Sequence, residues 1–129
     1  MIVLDASVLV EAVTEEGRRG EAARALLDGP VAVPDVAFVE AFLAIGRQHL
    51  GGAITPERFV GAVAALDSLP VSPHESRRLL PRMAELAESV GAYDAAYVAL
   101  AESLGTQLVT TDQPLARAHG PRCEVRLLA

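Results

Sequence analysis

Four acidic residues stand apart from the other acids of the chain because of where they fall relative to predicted strands and helices: Asp5, Glu40, Asp94 and Asp112. Asp5 and Asp112 each close a short apolar run that is typical of a buried strand. Ligands of open α/β sheets bind outside the carboxyl ends of the strands, so acids at these positions are well placed for chemistry. Either residue alone fits a helix cap or a solvated charge, but the pair predicts a shared sheet edge.

Glu40 occupies an unusual position in a predicted helix. Val36, Val39 and Leu43 lie at spacings that place Glu40 inside their apolar stripe, so its carboxylate is predicted to face the sheet. A buried carboxylate needs a cation, a hydrogen-bond donor or a proton. The alternatives are a position at the rim of the buried face and an internal ion pair with Arg47, two turns further along.

Asp94 falls in the first turn of a predicted Ala-rich helix. Carboxylates at helix N-termini are commonly present as caps or because they interact favourably with the helix dipole, and this explains Asp94 adequately on its own. It does not explain why four acids all fall at strand ends or helix starts. The core stripe of the helix is predicted to consist of Tyr97, Leu100, Ala101 and Leu104.

Convergence of the four acids would determine the chemistry of the site. Two like charges about 4 Å apart repel by about 4 kcal/mol at an effective dielectric of about 20, so a cation must neutralise them. Oxygen-only ligands, with no His or Cys among them, select Mg²⁺ or Mn²⁺ over zinc. Such a cation supplies an activated water and neutralises charge developing on a phosphate. The expected reaction is phosphodiester hydrolysis.

Short strands alternate with helices along the chain. Strands are predicted at residues 2–4, 31–33, 69–71, 108–109 and 124–127, and helices at residues 8–13, 22–27, 34–49, 56–66, 73–90, 92–104 and 114–118. Ser7 is predicted as the cap of the first helix, Gly17 and Gly20 as breaks before the second, and Pro81 as an interruption of the fifth. This alternation implies right-handed crossovers and a mostly parallel sheet covered on both faces. The fold class is therefore a three-layer α/β/α domain spanning residues 1–129.

Composition limits the class of protein. Hydrophobic residues make up 51% of the chain, which is enough to form a core, and the net charge is −6 without a single Lys. An acidic chain is unlike a simple nucleic-acid binder, although carboxylates that recruit divalent cations make a phosphate site from a repulsive one. The single Cys123, the lack of a leader-like N-terminus and the lack of an 18-residue apolar run predict a cytoplasmic protein with no membrane partner.

The motifs that carry these acids resemble those of the PIN-domain ribonucleases, and within them the VapC-type toxins of bacterial toxin–antitoxin modules. The similarity spans essentially the whole chain. It rests on the opening IVLDAS, on Glu40 following Pro34, on YDAAYVALA at residues 93–101 and on LVTTD at residues 108–112. Each motif is short, but their order and spacing together are specific.

The resemblance implies a function and a set of site residues. It implies Mg²⁺- or Mn²⁺-dependent endonucleolytic cleavage of RNA, inhibition by a small antitoxin encoded nearby, and a homodimer. Asp5, Glu40, Asp94 and Asp112 would bind the metal directly or through water, with Ser7 and Thr110 orienting them. Some relatives carry a further acid soon after the fourth, and residues 113–118 have none. The number of metal ions, one or two, therefore stays open.

Two other classes of protein share some of these features. A phosphoacceptor receiver domain also has acids at strand ends, but it requires a lysine that this chain lacks. A catalytically inactive PIN-like module that only binds a partner stays open. The remaining basic candidates are interpreted as surface residues, although the arginines among them would be able to contact RNA phosphates. They are His49, His74, His119, Arg18, Arg19, Arg47 and Arg117.

Overall fold

A five-stranded parallel sheet forms the middle of the molecule, for which a computed structural model describes residues 1–128. Its strands are β1 (Ile2–Leu4), β2 (Val31–Pro34), β3 (Ser72–His74), β4 (Leu108–Thr110) and β5 (Val125–Leu127). They are arranged in the order β3-β2-β1-β4-β5, and every pair is parallel. The three central strands β2, β1 and β4 are buried almost completely, as expected for short apolar runs covered on both faces.

Seven helices flank the sheet in the described part of the chain. They are α1 (Ala6–Thr14), α2 (Arg18–Ala25), α3 (Ala37–Leu50), α4 (Pro56–Asp67), α5 (Leu80–Leu86), α6 (Ala92–Leu104) and α7 (Gln113–Ala116). Helix α1 packs against α2, α3 and α4, whereas α6 packs against α5 and lies on β1 and β2. The predicted α/β/α architecture is confirmed.

The strand order creates a switch point between β1 and β4. From β1 the chain moves outward to β2 and β3, and it then returns to place β4 on the other side of β1. With right-handed crossovers, this reversal puts α1 to α4 on one face of the sheet and α5 to α7 on the other. The connections leaving β1 and β4 therefore diverge and open a crevice at the carboxyl ends of these strands, where open sheets bind ligands.

The middle of helix α6 is buried on every face, and four of its seven residues there are alanine. All residues from Ala95 to Ala101 are buried. The helix ends at Gly105, whose φ of 64° is left-handed and easily adopted by glycine. The prediction of a helix over residues 92–104 is confirmed, and so is the helix starting at Pro56.

The third strand was predicted three residues too early. Leu69 and Val71 are partly buried and pack against the core, but the residues that pair with β2 are Ser72, Pro73 and His74. An edge strand needs backbone pairing on one side only and tolerates proline, so its polar sequence carries no apolar signal.

Several helix boundaries also differ from the prediction. Helix α1 begins at Ala6, so Ser7 lies inside it, and the cap position belongs to Asp5. Gly20 lies within α2, and Pro34 ends β2 and does not open α3. Residues 73–90 form the end of β3, a 3-10 turn at Ser76–Leu79 and then α5. Pro81 lies in the first turn of α5, where its missing N–H leaves no intrahelical bond unmade.

No helix within residues 1–128 is both long enough and apolar enough to cross a membrane.

The close approach of α2 to α1 at Gly20 can be tested by adding a methyl group. A Cβ on Gly20 would lie 1.9 Å from the carbonyl oxygen of Glu15, so Gly20→Ala forces the backbone to shift and should lower the free energy of unfolding by about 1–3 kcal/mol. Gly61 is the matched control, because it lies at an exposed position of α4 and a Cβ added there would meet no atom within 4 Å. Gly61→Ala should raise the free energy of unfolding by about 0.5–1 kcal/mol. Urea denaturation measures both, and a Gly20→Ala protein as stable as wild type would contradict this packing.

Candidate active site

The crevice at the β1/β4 switch point holds a pocket of about 340 Å³. Three of the four predicted acids, Asp5, Glu40 and Asp94, line it. Asp112 does not line the pocket, but its charge raises the pKa of both Asp5 and Asp94, so it lies beside them. The structure thus brings together acids from the end of β1, from α3, from α6 and from the start of α7.

Asp5 is the most deeply buried of the four acids, with 6% of its surface exposed. Its Oδ2 atom accepts hydrogen bonds from the Ser7 hydroxyl at 2.7 Å and from the Thr110 hydroxyl at 2.8 Å. Burial raises the pKa of Asp5, the two hydroxyl hydrogen bonds oppose this rise, and the charge of Asp112 adds to it. The carboxylate is therefore held in a fixed orientation by neutral donors.

The same two hydroxyls connect the ends of β1 and β4. Ser7 Oγ accepts from the backbone N–H of Thr111 at 3.2 Å, and Thr110 Oγ1 accepts from the backbone N–H of Asp112 at 3.1 Å. Each hydroxyl therefore donates to Asp5 and accepts from the segment that follows β4. This network fixes the start of the Asp112 segment relative to Asp5.

Glu40 is half-buried, but not for the reason that the sequence suggested. Val39 and Leu43 are 61% and 46% exposed, so the predicted stripe around Glu40 was wrong. The buried face of α3 consists of Ala37, Ala41 and Ile45. Glu40 lies beside this face, and its Oε1 accepts a hydrogen bond from the Tyr97 hydroxyl at 2.7 Å.

The charge of Glu40 has no cationic partner among the described residues. Arg47 is exposed, and no ion pair of residues 1–128 involves Glu40, so the alternative of an internal ion pair is not supported. Burial raises the pKa of Glu40, the Tyr97 hydrogen bond lowers it, and the charge of Asp5 raises it further. Burial and Glu40 raise the pKa of Tyr97, so its hydroxyl stays protonated and donates.

Asp94 shows most clearly that the acids share one electrostatic environment. Its pKa rises from an ordinary value of 3.8 to about 6, first because of burial and then because of the charges of Asp5, Asp112 and Glu40. Gly91, at the N-cap of α6, has no side chain, and Asp94 lies in the first turn, where the helix dipole also favours a carboxylate. The charges of three other acids therefore all act on the Asp94 carboxyl group.

The donor set fits a hard dication. The side chains that line the pocket include no Lys, Arg or His, and the charged ones supply carboxylate oxygens only, which is the chemistry preferred by Mg²⁺ and Mn²⁺. Within residues 1–128, no three ligating side chains already form a coordination sphere. The charges of neighbouring acids contribute to the raised pKa values of Asp5, Glu40 and Asp94, and these carboxylates would need to change position to coordinate an ion.

Two residues of the site were not identified from the sequence. Glu11 follows Ser7 by one helical turn and lines the same pocket, where its Oε2 is buried without a hydrogen-bond partner. Its other oxygen pairs with Arg19, which was interpreted as a surface residue. The second is Tyr97, which was assigned to the core only. A buried tyrosine hydroxyl requires a partner, and this requirement was the available signal.

The histidines do not line the pocket, and two of them, His49 and His74, are partly buried and are not the ordinary surface residues that were predicted. His49 stacks on Phe59 with ring centroids 4.3 Å apart, and its Nδ1 is buried without a partner. His74 lies in β3 and is partly buried, whereas His119 is exposed.

A larger cavity of about 710 Å³ lies at the opposite, amino-terminal edge of the sheet. Its lining includes Glu102, Arg122 and Cys123. Glu102 there is neutralised by Arg82, whose Nε donates to Oε1 at 2.7 Å, and it also accepts from the backbone N–H of Arg122. The ion pair between Arg82 and Glu102 stabilises the wall of this cavity, which therefore does not collect unpaired carboxylates as the pocket at the β1/β4 switch point does.

The raised pKa of Asp94 predicts a pH dependence of stability in the absence of metal. The folded protein holds the Asp94 proton up to a pH of about 6, whereas the unfolded chain releases it near 3.8. This group's contribution to folding therefore falls as pH rises from about 4 to 6 and stays low above that. After discounting for the partial exposure of Asp94, the expected loss is about 1 kcal/mol.

The loss can be measured by urea denaturation in EDTA at pH 4, 5, 6 and 7. The difference in the free energy of unfolding between Asp94→Asn and wild type should widen as the pH rises, with the variant more stable at pH 7. The matched control Asp67→Asn, exposed on α4, should run parallel to wild type. A constant gap between wild type and Asp94→Asn across this range would contradict the shared electrostatic environment.

The chain is similar to known proteins over nearly its whole length. The family model described as PIN domain matches residues 2–120. Ribonuclease VapC1 from Mycobacterium tuberculosis is 37% identical over 132 residues, which cover 98% of this chain and 96% of that protein.

Two solved structures share the fold. Mycobacterium tuberculosis VapC20, described as a sarcin–ricin loop cleaving toxin, superposes with a TM-score of 0.66 and 17% identity, covering 89% of this chain and 92% of the other. A toxin–antitoxin complex from Klebsiella pneumoniae superposes with a TM-score of 0.63 and 18% sequence identity, covering 91% of this chain and 92% of the other. The family match and the level of identity to Ribonuclease VapC1 show that this chain belongs to the PIN-domain family and, within it, to the VapC group.

Proposed function

We propose that the chain is a single-domain, Mg²⁺-dependent endoribonuclease that acts as the toxin of a toxin–antitoxin pair, with Mn²⁺ as the alternative ion. The observation that carries this proposal is the convergence of acids from four separate elements on one crevice without a cationic side chain. The name of Ribonuclease VapC1, at 37% identity over nearly the whole chain, supports RNA as the substrate.

Each acid has a role that follows from its surroundings. Asp5, Glu40, Asp94 and Asp112 would hold the ion directly or through water, and Ser7 and Thr110 would keep Asp5 oriented. When bound, the dication supplies an activated water and neutralises the charge that develops on the phosphate. The pocket has no cationic side chain, so its own electrostatics repel an RNA phosphate until the carboxylates are neutralised.

Nuclease and metal-binding assays test this function together. The wild-type chain should cleave RNA in millimolar Mg²⁺ and stop when EDTA is added. Asp94→Asn should lower the rate of RNA cleavage by more than the roughly 10–100-fold that is typical when a residue that only hydrogen-bonds a metal ligand is changed. The reason is that Asp94 is proposed as a ligand itself. The matched variant Asp67→Asn, on the exposed surface of α4, should cleave like wild type.

Thermal unfolding gives a readout that does not depend on finding the correct RNA. Millimolar Mg²⁺ should raise the midpoint of wild type, because a ligand that binds only the folded state stabilises it. The rise should be much smaller for Asp5→Asn. Equal shifts in both proteins would refute the metal site, and a normal shift in a protein that cleaves no species of total cellular RNA would indicate an inactive partner-binding module.

The partner that we propose is a small antitoxin, and we propose that the toxin itself is a homodimer. An apolar groove between α3 and α4 is lined by Phe38, Val39, Phe42, Val63 and Leu66. Exposed apolar patches of this kind mark protein-binding surfaces. The Klebsiella pneumoniae structure with the same fold, described as a toxin–antitoxin complex, supports this type of partner. We also place the pair in the cytoplasm, where RNA is available and the single Cys123 stays reduced.

Co-expression with the proposed antitoxin tests the partner. Val39→Glu, which adds a charge to the groove, should prevent co-purification and relieve inhibition of RNA cleavage, while Leu50→Glu, on the same helix but outside the groove, should not. Light scattering of the purified toxin should give the mass of a dimer. Undiminished capture by Val39→Glu would overturn the groove as the antitoxin site.

A further inference from the structure

The hydroxyl of Tyr97 has an unusual partner for a core tyrosine. Tyr97 is completely buried in the middle of α6, so its hydroxyl must find an acceptor inside the protein. The acceptor is Oε1 of Glu40, at a distance of 2.7 Å. Glu40 belongs to α3, which packs on the opposite face of the sheet from α6. A core tyrosine that only fills space is satisfied by any nearby carbonyl, whereas this one reaches the wall of the acidic pocket.

The hydrogen bond leaves Glu40 well suited to bind a cation. It engages one carboxylate oxygen, and no side-chain hydrogen bond among residues 1–128 engages the other. Tyr97 also follows Asp94 by three residues, so both lie on the same face of α6. One rigid helix therefore supplies an acid of the pocket and the donor that orients a second acid on α3.

Asp5 is held in the same way. Its carboxylate accepts from the hydroxyls of Ser7 and Thr110, both of them neutral donors. A neutral donor fixes the direction of a carboxylate without cancelling its charge, whereas an arginine would compete with an incoming cation. Both carboxylates that the interior side chains hold are thus oriented by donors that carry no charge of their own.

We propose that Tyr97 is a positioning residue that holds Glu40 in the orientation needed to bind the metal ion. This inference rests on the proposed function, because it takes Glu40 as a ligand. It assigns Tyr97 no contact with the RNA and no proton transfer. Its contribution is to restrict the carboxylate of Glu40 to one orientation before the ion arrives, which lowers the entropy lost on binding.

Tyr97→Phe isolates the hydroxyl, because the ring and its packing are kept. The chain offers a matched control in Tyr93→Phe, since Tyr93 is the only other tyrosine, lies on the same helix and is 54% exposed. Mn²⁺ binding measured by calorimetry is the readout, with circular dichroism confirming that each variant is folded. Tyr97→Phe should weaken Mn²⁺ binding by about 10–100-fold, and Tyr93→Phe should leave it unchanged.

A double-mutant cycle with Glu40→Gln separates positioning from structural damage. If Tyr97 acts through Glu40, Tyr97→Phe should have no further effect on Mn²⁺ binding in the Glu40→Gln background. A loss of the same size in both backgrounds, or wild-type affinity in Tyr97→Phe, would overturn the inference while leaving the metal site intact. Wild-type affinity in Glu40→Gln itself would instead overturn Glu40 as a ligand, and with it this part of the proposed function.

Discussion

Mutual repulsion between carboxylates at the β1/β4 switch point is the constraint on which the arrangement of this molecule depends. Asp5 is almost completely buried, and burial, together with the charges of Asp5, Asp112 and Glu40, raises the pKa of Asp94 to about 6. Such a cluster opposes folding unless the surrounding structure holds it in place or a cation neutralises it. The core, the strand order and the hydroxyl network together supply the first of these conditions.

The fold brings the acids together by topology. Reversal of strand order between β1 and β4 sends the connections that leave these two strands to opposite faces of the sheet and leaves a crevice between them. Glu40 enters this crevice from one face on α3, and Asp94 enters from the other on α6. Each acid thus comes from a different element, so the site exists only when the sheet has assembled. The four buried alanines of α6 allow part of that helix to lie close to the sheet.

Among residues 1–128, hydroxyl groups and not arginines hold Asp5 and Glu40, whereas Glu11 at the wall of the same pocket pairs with Arg19. Ser7, Thr110 and Tyr97 donate to the pocket's carboxylates, while Arg82 is engaged with Glu102 near the opposite edge of the sheet. A site stabilised by internal ion pairs would be more stable and would have no negative charge left for a ligand. Local instability of this kind is common where function requires a preorganised charge, and the remainder of the core compensates for it. The metal-dependent chemistry that we propose follows from this choice of neutral donors.

The sequence alone determined the fold class, the helix over residues 92–104 and the position of Asp5 at the end of a buried strand, because apolar periodicity reports which local segments are covered. It also singled out Glu40, although the predicted stripe of Val39 and Leu43 proved to be exposed. Only the tertiary structure decided that β3 pairs through Ser72 to His74, that Tyr97 reaches Glu40 and that Glu11 lines the pocket. These features depend on contacts between residues distant along the chain, and no local pattern encodes such contacts, because they form only when separate elements pack together.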